Sequence, residues 1–162
     1  MTIDDILAKM IAYPEQSAHD IDHLLQVWTY ARTIGQMEHI DADTQLILET
    51  AAIVHDIACP LCRKKYGNTN GKKQEEEGMP LARDFLTGCG LDGTALERVV
   101  YLVGHHHTFE GIEGIDWQIL VEADYIANAV ENEYSRENVT NFIERIMKTE
   151  SGIKLANAVL LS

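Results

Sequence analysis

The chain has 162 residues, 46% of them hydrophobic and 24% charged, with 13 Lys+Arg against 26 Asp+Glu and a formal net charge of −13. That balance fits one globular domain with a core of its own and speaks against disorder. The negative charge disfavours a broad nucleic-acid or anionic-membrane surface, because phosphates would be repelled. No apolar run approaches the roughly 20 residues that span a bilayer. The acidic start MTIDDILAKM is unlike the basic opening of a signal peptide. The expectation is a cytoplasmic protein whose partners include neither nucleic-acid polymer nor membrane.

The periodicity is helical nearly throughout. Ile3, Ile6, Leu7, Met10 and Ile11 form one apolar face until Pro14 stops it. Ser17 or Asp20 can cap a second helix carrying Leu24, Val27, Trp28, Ala31 and Ile34, because their side-chain oxygens accept from free amides. Asp43 can cap a third, apolar on nearly all sides through Ile53 and Val54 to His55, as a central buried helix would be. From Ala58 to Lys73 the pattern lapses into loop chemistry with Pro60, Gly67 and Gly71. Met79, Ala82, Phe85 and Leu86 restart a helix, with Pro80 in or near its first turn. Leu96 to Val103 form another, ending in His105-His106-His107. Trp117–Glu131, Val139–Met147 and Leu155–Leu160 close the chain. With no convincing strand or repeat, the expected fold is an all-α bundle of about seven or eight helices in a single domain over 1–162.

Three cysteines, Cys59, Cys62 and Cys89, do not suggest a disulfide framework. Cys59-Pro60-Leu61-Cys62 has the spacing of a redox dithiol or half a zinc site. Without a second CxxC or a βαβ setting, the two read as ordinary loop thiols. The histidines say more. His19 and His23 share one helix side. His55-Asp56 ends the apolar helix, and Asp124 lies among Leu120, Ala123 and Ala127, where a carboxylate without a partner is costly. Taken singly, each has an ordinary structural role. Taken together, imidazoles and acids at helix ends or on apolar faces of four segments point to a cation, and the lack of thiolate disfavours structural zinc.

The order His23, His55-Asp56, Asp124, in the contexts HDIDHLLQVWTYA, AAIVHDIA and VEADYIAN, resembles the HD superfamily of metal-dependent phosphohydrolases. The resemblance covers a core of about residues 17–131 and leaves 132–162 as C-terminal helices, available to cover the core or to form a homodimer face. It implies that His23, His55, Asp56 and Asp124 bind one divalent metal ion, with Mn, Fe, Co, Ni, Zn and Mg all open. It also implies that LVGHHHTFEG supplies His106 or His107 as a catalytic or second-metal residue. Binuclear members carry a further histidine before a helix-opening glycine. Here that segment reads QEEEG, with Gln74 in the histidine's place, and Glu75 or Glu77 as the alternative donors.

Such an ion acts as a Lewis acid on a phosphoryl oxygen and lowers the pKa of bound water towards about 7. Arg63–Lys73 holds five of the thirteen basic residues and no acid. It reads either as a solvated loop or as a cationic lid that attracts phosphate, with Lys65 and Lys73 the substrate phosphate-binding candidates. The implied function is hydrolysis of a phosphate ester or anhydride of a small phosphorylated compound, with a nucleotide as one candidate. The alternative is a non-catalytic metal or nucleotide sensor with a degenerate site.

Overall fold

The computed structural model describes residues 1–162 and is all-helical, without strands. In chain order it has α1 (Ile3–Ile11), α2 (Ala18–Met37), α3 (Ala42–Val54), α4 (Cys59–Tyr66), α5 (Gly71–Leu86), α6 (Gly93–Val103), α7 (Ile115–Glu131), α8 (Arg136–Arg145) and α9 (Glu150–Ala156). A short π-helical stretch, Asn157–Leu161, ends the chain.

Local chemistry sets the helix starts. Ser17 and Asp20 both cap α2: the Asp20 amide donates to Ser17 Oγ at 3.0 Å, and the Ser17 amide donates to Asp20 Oδ2 at 2.9 Å. This reciprocal box satisfies two of the amides every helix start leaves open. Asp41, not Asp43, caps α3, accepting from the Thr44 amide at 2.9 Å; Asp43 falls inside the first turn.

Helix α3 is the axis of the bundle. It packs against α1, α2, α6 and α7, while α2 also lies along α7 and α5 along α6. Leu48, Ala51, Ala52, Ile53 and Val54 are fully buried, which explains a helix apolar on nearly all sides. The stretch Ala42–Tyr66 is, on average, apolar enough to cross a membrane, although no unbroken run in it is. Most of it is buried within this bundle, and turns at 55–58 separate α3 from α4.

Two expectations fail between residues 58 and 86. The supposed loop is mostly helix: α4 occupies Cys59–Tyr66 and α5 begins at Gly71, leaving four residues between them. Pro60 did not argue against helix, because it stands in the first turn of α4, where the missing amide proton costs nothing. Pro80, by contrast, lies well inside α5 rather than near its start. Gly71 serves a close approach: a Cβ there would come within 2.9 Å of His107 Cγ. Cys59 and Cys62 are accordingly buried helical thiols, free like Cys89, and not loop residues. Burial, with Asp56 adding to it, pushes the Cys59 thiol far up, so it is not a reactive thiolate.

Candidate metal centre

Helices α2, α3 and α7 deliver donors to one point, and the turn after α6 adds a neighbouring donor that meets it through Asp56. His23 comes from the second turn of α2, His55 and Asp56 from the turn that ends α3, His106 from the turn after α6, and Asp124 from the middle of α7. His23 Nε2 lies 3.2 Å from His55 Nε2, 3.0 Å from Asp124 Oδ1 and 3.2 Å from Asp56 Oδ2. His55 Nε2 lies 3.2 Å from Asp124 Oδ1 and 3.5 Å from Asp56 Oδ2. His55 and His106 are fully buried, and His23 and Asp124 nearly so.

The far side of each imidazole is already committed. His55 Nδ1 donates to the Ala52 carbonyl at 2.7 Å, and His106 Nδ1 donates to the Val103 carbonyl at 2.7 Å. His23 Nδ1 donates to Glu131 Oε1 at 2.8 Å. Each Nε2 is thereby aimed inward, the arrangement by which outer partners fix the tautomer of a metal-ligating histidine. His106 Nε2 is buried without a hydrogen-bond partner, 3.3 Å from Asp56 Oδ1. Buried polar atoms are normally paired. This orphan beside the Asp56 carboxylate fits a divalent cation on the Asp56 side of the cluster.

Electrostatics agree with the geometry. Burial opposes a charged His23, but hydrogen bonds to Asp124 and Asp56 outweigh it and push the group up to about 12. Burial would raise Asp124, yet His23 and His55 hold it well below the usual carboxylate range. Asp56 is likewise held low, against burial, by His55, His106 and His23. Positive charge is thus strongly favoured at this point, whether it arrives as a proton or as an ion.

His107 sits beside this set, and Asp56, His106 and His107 form a second group close enough to share an ion. Its Nε2 donates to Gln74 Oε1 at 2.9 Å, and Gln74 Nε2 donates to the Thr69 carbonyl at 2.6 Å. Burial and the neighbouring His106 push His107 down to about 4. Neither glutamate replaces the missing histidine. Glu75 Oε2 accepts from the His107 amide at 3.2 Å and from Thr108 Oγ1 at 2.9 Å. Glu77 Oε1 accepts from Lys65 at 2.7 Å and from Tyr66 at 2.6 Å. His105 turns away, its ring stacked on Tyr101.

A mainly polar cavity of about 290 Å³ opens over the cluster, lined by His23, Asp56, Gln74, His107 and Asp124 and also by His19, Asp20, Cys59, Arg63, Thr69, Asn128, Glu131 and Asn132. The basic stretch 63–73 does not form a free cationic lid. Arg63 forks onto Asp20 at 3.0 and 2.5 Å, and Lys65 and Lys73 pair with Glu77 and Glu76. Lys65 and Lys73 are absent from the cavity wall, which carries Arg63 instead. Asn128 and Glu131 were not singled out in the sequence. They stand four and seven residues after Asp124, so helical spacing puts all three on one face of α7.

The HD domain family matches residues 20–146, reaching past the span of 17–131 to include α8. Solved structures with this fold include two that are similar to the chain over nearly its whole length. A predicted HD superfamily hydrolase from an uncultured Thermotogales bacterium is 24% identical, with a TM-score of 0.67, covering 97% of this chain and 82% of that one. Bacillus subtilis YpgQ in complex with ADP is 18% identical, with a TM-score of 0.65, covering 98% of this chain and 87% of that one. No curated protein matches the chain. A match over most of the length, on a fold that gathers the His, His-Asp and Asp positions at one point, makes the chain a member of the HD domain family.

Proposed function

We propose that this chain hydrolyses a phosphate ester or anhydride of a small phosphorylated molecule, a nucleotide foremost, with one divalent ion held by His23, His55, Asp56 and Asp124. One observation carries the reading: the buried Nε2 atoms of His23 and His55 converge with the carboxylates of Asp124 and Asp56, and both imidazoles have their other nitrogen already bonded. A bound divalent ion supplies Lewis acidity at a phosphoryl oxygen and lowers the pKa of water from about 16 to about 7.

The chain's own groups supply the rest. Asp56, facing both His23 and His106, is the carboxylate placed to orient water. His106 and His107 border the same space; with Nε2–H committed to Gln74, His107 keeps Nδ1 as a proton acceptor. Arg63 is the cation on the cavity wall. Its bond to Asp20 uses two of five N–H donors, leaving three for a phosphate. The phosphate role expected of Lys65 and Lys73 therefore passes to Arg63. The ADP held by the structurally similar YpgQ supports a nucleotide as the substrate.

The test is elemental analysis of protein purified without chelator, followed by a phosphatase screen with Mn, Fe, Co, Ni, Zn and Mg. His23→Ala and Asp124→Ala are expected to lose ion and activity together. Activity retained in metal-stripped protein would refute the reading.

A further inference from the structure

Adjoining the metal-proximal cavity is a second one of about 420 Å³, and the two share His107, Asp124 and Asn128. The first is lined mainly by polar residues. The second is lined by Phe109, Tyr125, Tyr134 and Phe142, together with Asn138. We propose that this aromatic cleft is the subsite for the planar base of a nucleoside phosphate whose phosphate groups lie on the metal side. The proposal rests on the phosphohydrolase reading and adds to it the part of the substrate remote from the reacting bond.

The rings are disposed to hold a flat group. Tyr125 and Phe142 stack at 3.6 Å between centroids and within 1° of parallel, making a floor. Phe109 meets Phe142 edge-on at 5.7 Å, and Tyr134 meets Tyr125 at 5.6 Å and 49°. Phe109 and Tyr134 are 43% and 39% exposed, so both outer residues line the cavity without being sealed into the core. Aromatic side chains bind bases by stacking, because every base offers a π-face.

The polar groups fit the edges of a base better than a second charge. Asn138 Oδ1 accepts from the Tyr125 hydroxyl, which leaves the amide's two N–H donors for another acceptor. The Asn128 amide lies where the two cavities join. No lysine or arginine lines the cleft, so it has nothing to pair with a phosphate. The occupant is therefore neutral and flat at this end and anionic at the metal end, and the cleft is within the size range of small-ligand sites, about 300–1,000 Å³. Helix α8, which brings Asn138 and Phe142, thus acts at the substrate cleft as well as covering the core.

The experiment is calorimetric titration of Mn2+-loaded protein with the α,β-methylene analogues of ADP, GDP, CDP and UDP, and with methylenediphosphonate, which has the same head but no base. At least one nucleotide analogue is expected to bind about tenfold or more tightly than the head alone. Phe109→Ala and Tyr134→Ala should each weaken that analogue by about fivefold or more, as loss of a stacking ring does, and leave methylenediphosphonate unchanged. Phe109→Leu and Tyr134→Leu, which keep apolar bulk, should weaken it in the same direction. Nucleotide analogues no tighter than the head, or variants that weaken both alike, overturn the base subsite while leaving the phosphohydrolase reading intact. Binding of neither overturns both. A dimer that dissociates on Phe109→Ala without any change in analogue binding assigns the rings to a second copy and also overturns the subsite.

Discussion

The side-chain oxygen of Gln74 accepts a hydrogen bond from His107 Nε2 at 2.9 Å, on the wall of the cavity that holds the His/Asp cluster. An amide oxygen is a weak ligand for the ions that imidazole suits. Here it also occupies a nitrogen that could serve a second ion at Asp56, His106 and His107. The wild-type chain should therefore retain close to one tightly held divalent ion after dialysis. Gln74→His should raise the content towards two, measured by elemental analysis per mole of chain. A wild-type content of two would show that the amide does not limit the site.

Glu131 orients His23 through a 2.8 Å bond from Nδ1 and also lies 3.5 Å from His19. Outer-shell partners of this kind are commonly worth 10–100-fold in metal affinity. Glu131→Gln should weaken Mn2+ binding by about 10–100-fold, read by competition with a chelator, while the helical circular dichroism stays unchanged.

The pH dependence of the metal-free chain follows from His23. Its pKa is pushed from the ordinary 6.5 up to about 12, so the folded state holds a proton that the unfolded state releases. The stabilisation is complete below about 6.5 and is lost progressively as pH rises towards about 12. In the presence of chelator, Tm should fall as pH rises from about 7 to 9, with at most about 1.4 kcal/mol per pH unit from one proton. His23→Gln should flatten that slope. On the acid side, Asp56 and Asp124 are held low, so their contribution disappears as pH falls below the ordinary 3.8. Divalent-ion affinity should instead rise with pH, because the ion displaces the His23 proton.

Glu122, fully buried on α7, holds the C-terminal segment without touching the metal centre. Its carboxylate accepts from Gln118 Nε2 at 2.6 Å, the Lys148 amide at 2.9 Å, the Thr149 amide at 3.1 Å and Thr149 Oγ1 at 2.5 Å. Glu122→Ala strands several buried donors at once and should cost about 3 kcal/mol or more. Chemical denaturation measures this, and metal content in the surviving folded fraction should be unchanged.

The parts legible in the sequence were those written in periodicity and in rare residue pairings. An apolar run ending in His55-Asp56 read as a buried helix presenting polar groups at its end, and Asp124 amid apolar neighbours read as a carboxylate in need of a partner, which the structure supplies as His23 and His55. Residues 59–66 misled because Pro60 looks like a breaker unless its place in the first turn is known, and YGNTNG spread its loop character over flanking helix. The lysines misled because their partners, Glu76 and Glu77, lie outside the basic stretch, and only the fold of α4 against α5 pairs Lys65 with Glu77. Glu131 and Asn128 could have been found, since they repeat the Asp124 face at helical spacing. Phe109, Tyr134 and Phe142 could not: they lie on three segments, and nothing local predicts that their rings share one cleft.

The central claim is that residues far apart in the chain hold one divalent ion. Anomalous diffraction from crystals grown with Mn2+ tests it most directly. The account predicts one strong peak bonded by His23 Nε2, His55 Nε2 and the carboxylates of Asp56 and Asp124, absent in Asp124→Ala. No peak there, or a peak bound by other side chains, would contradict it.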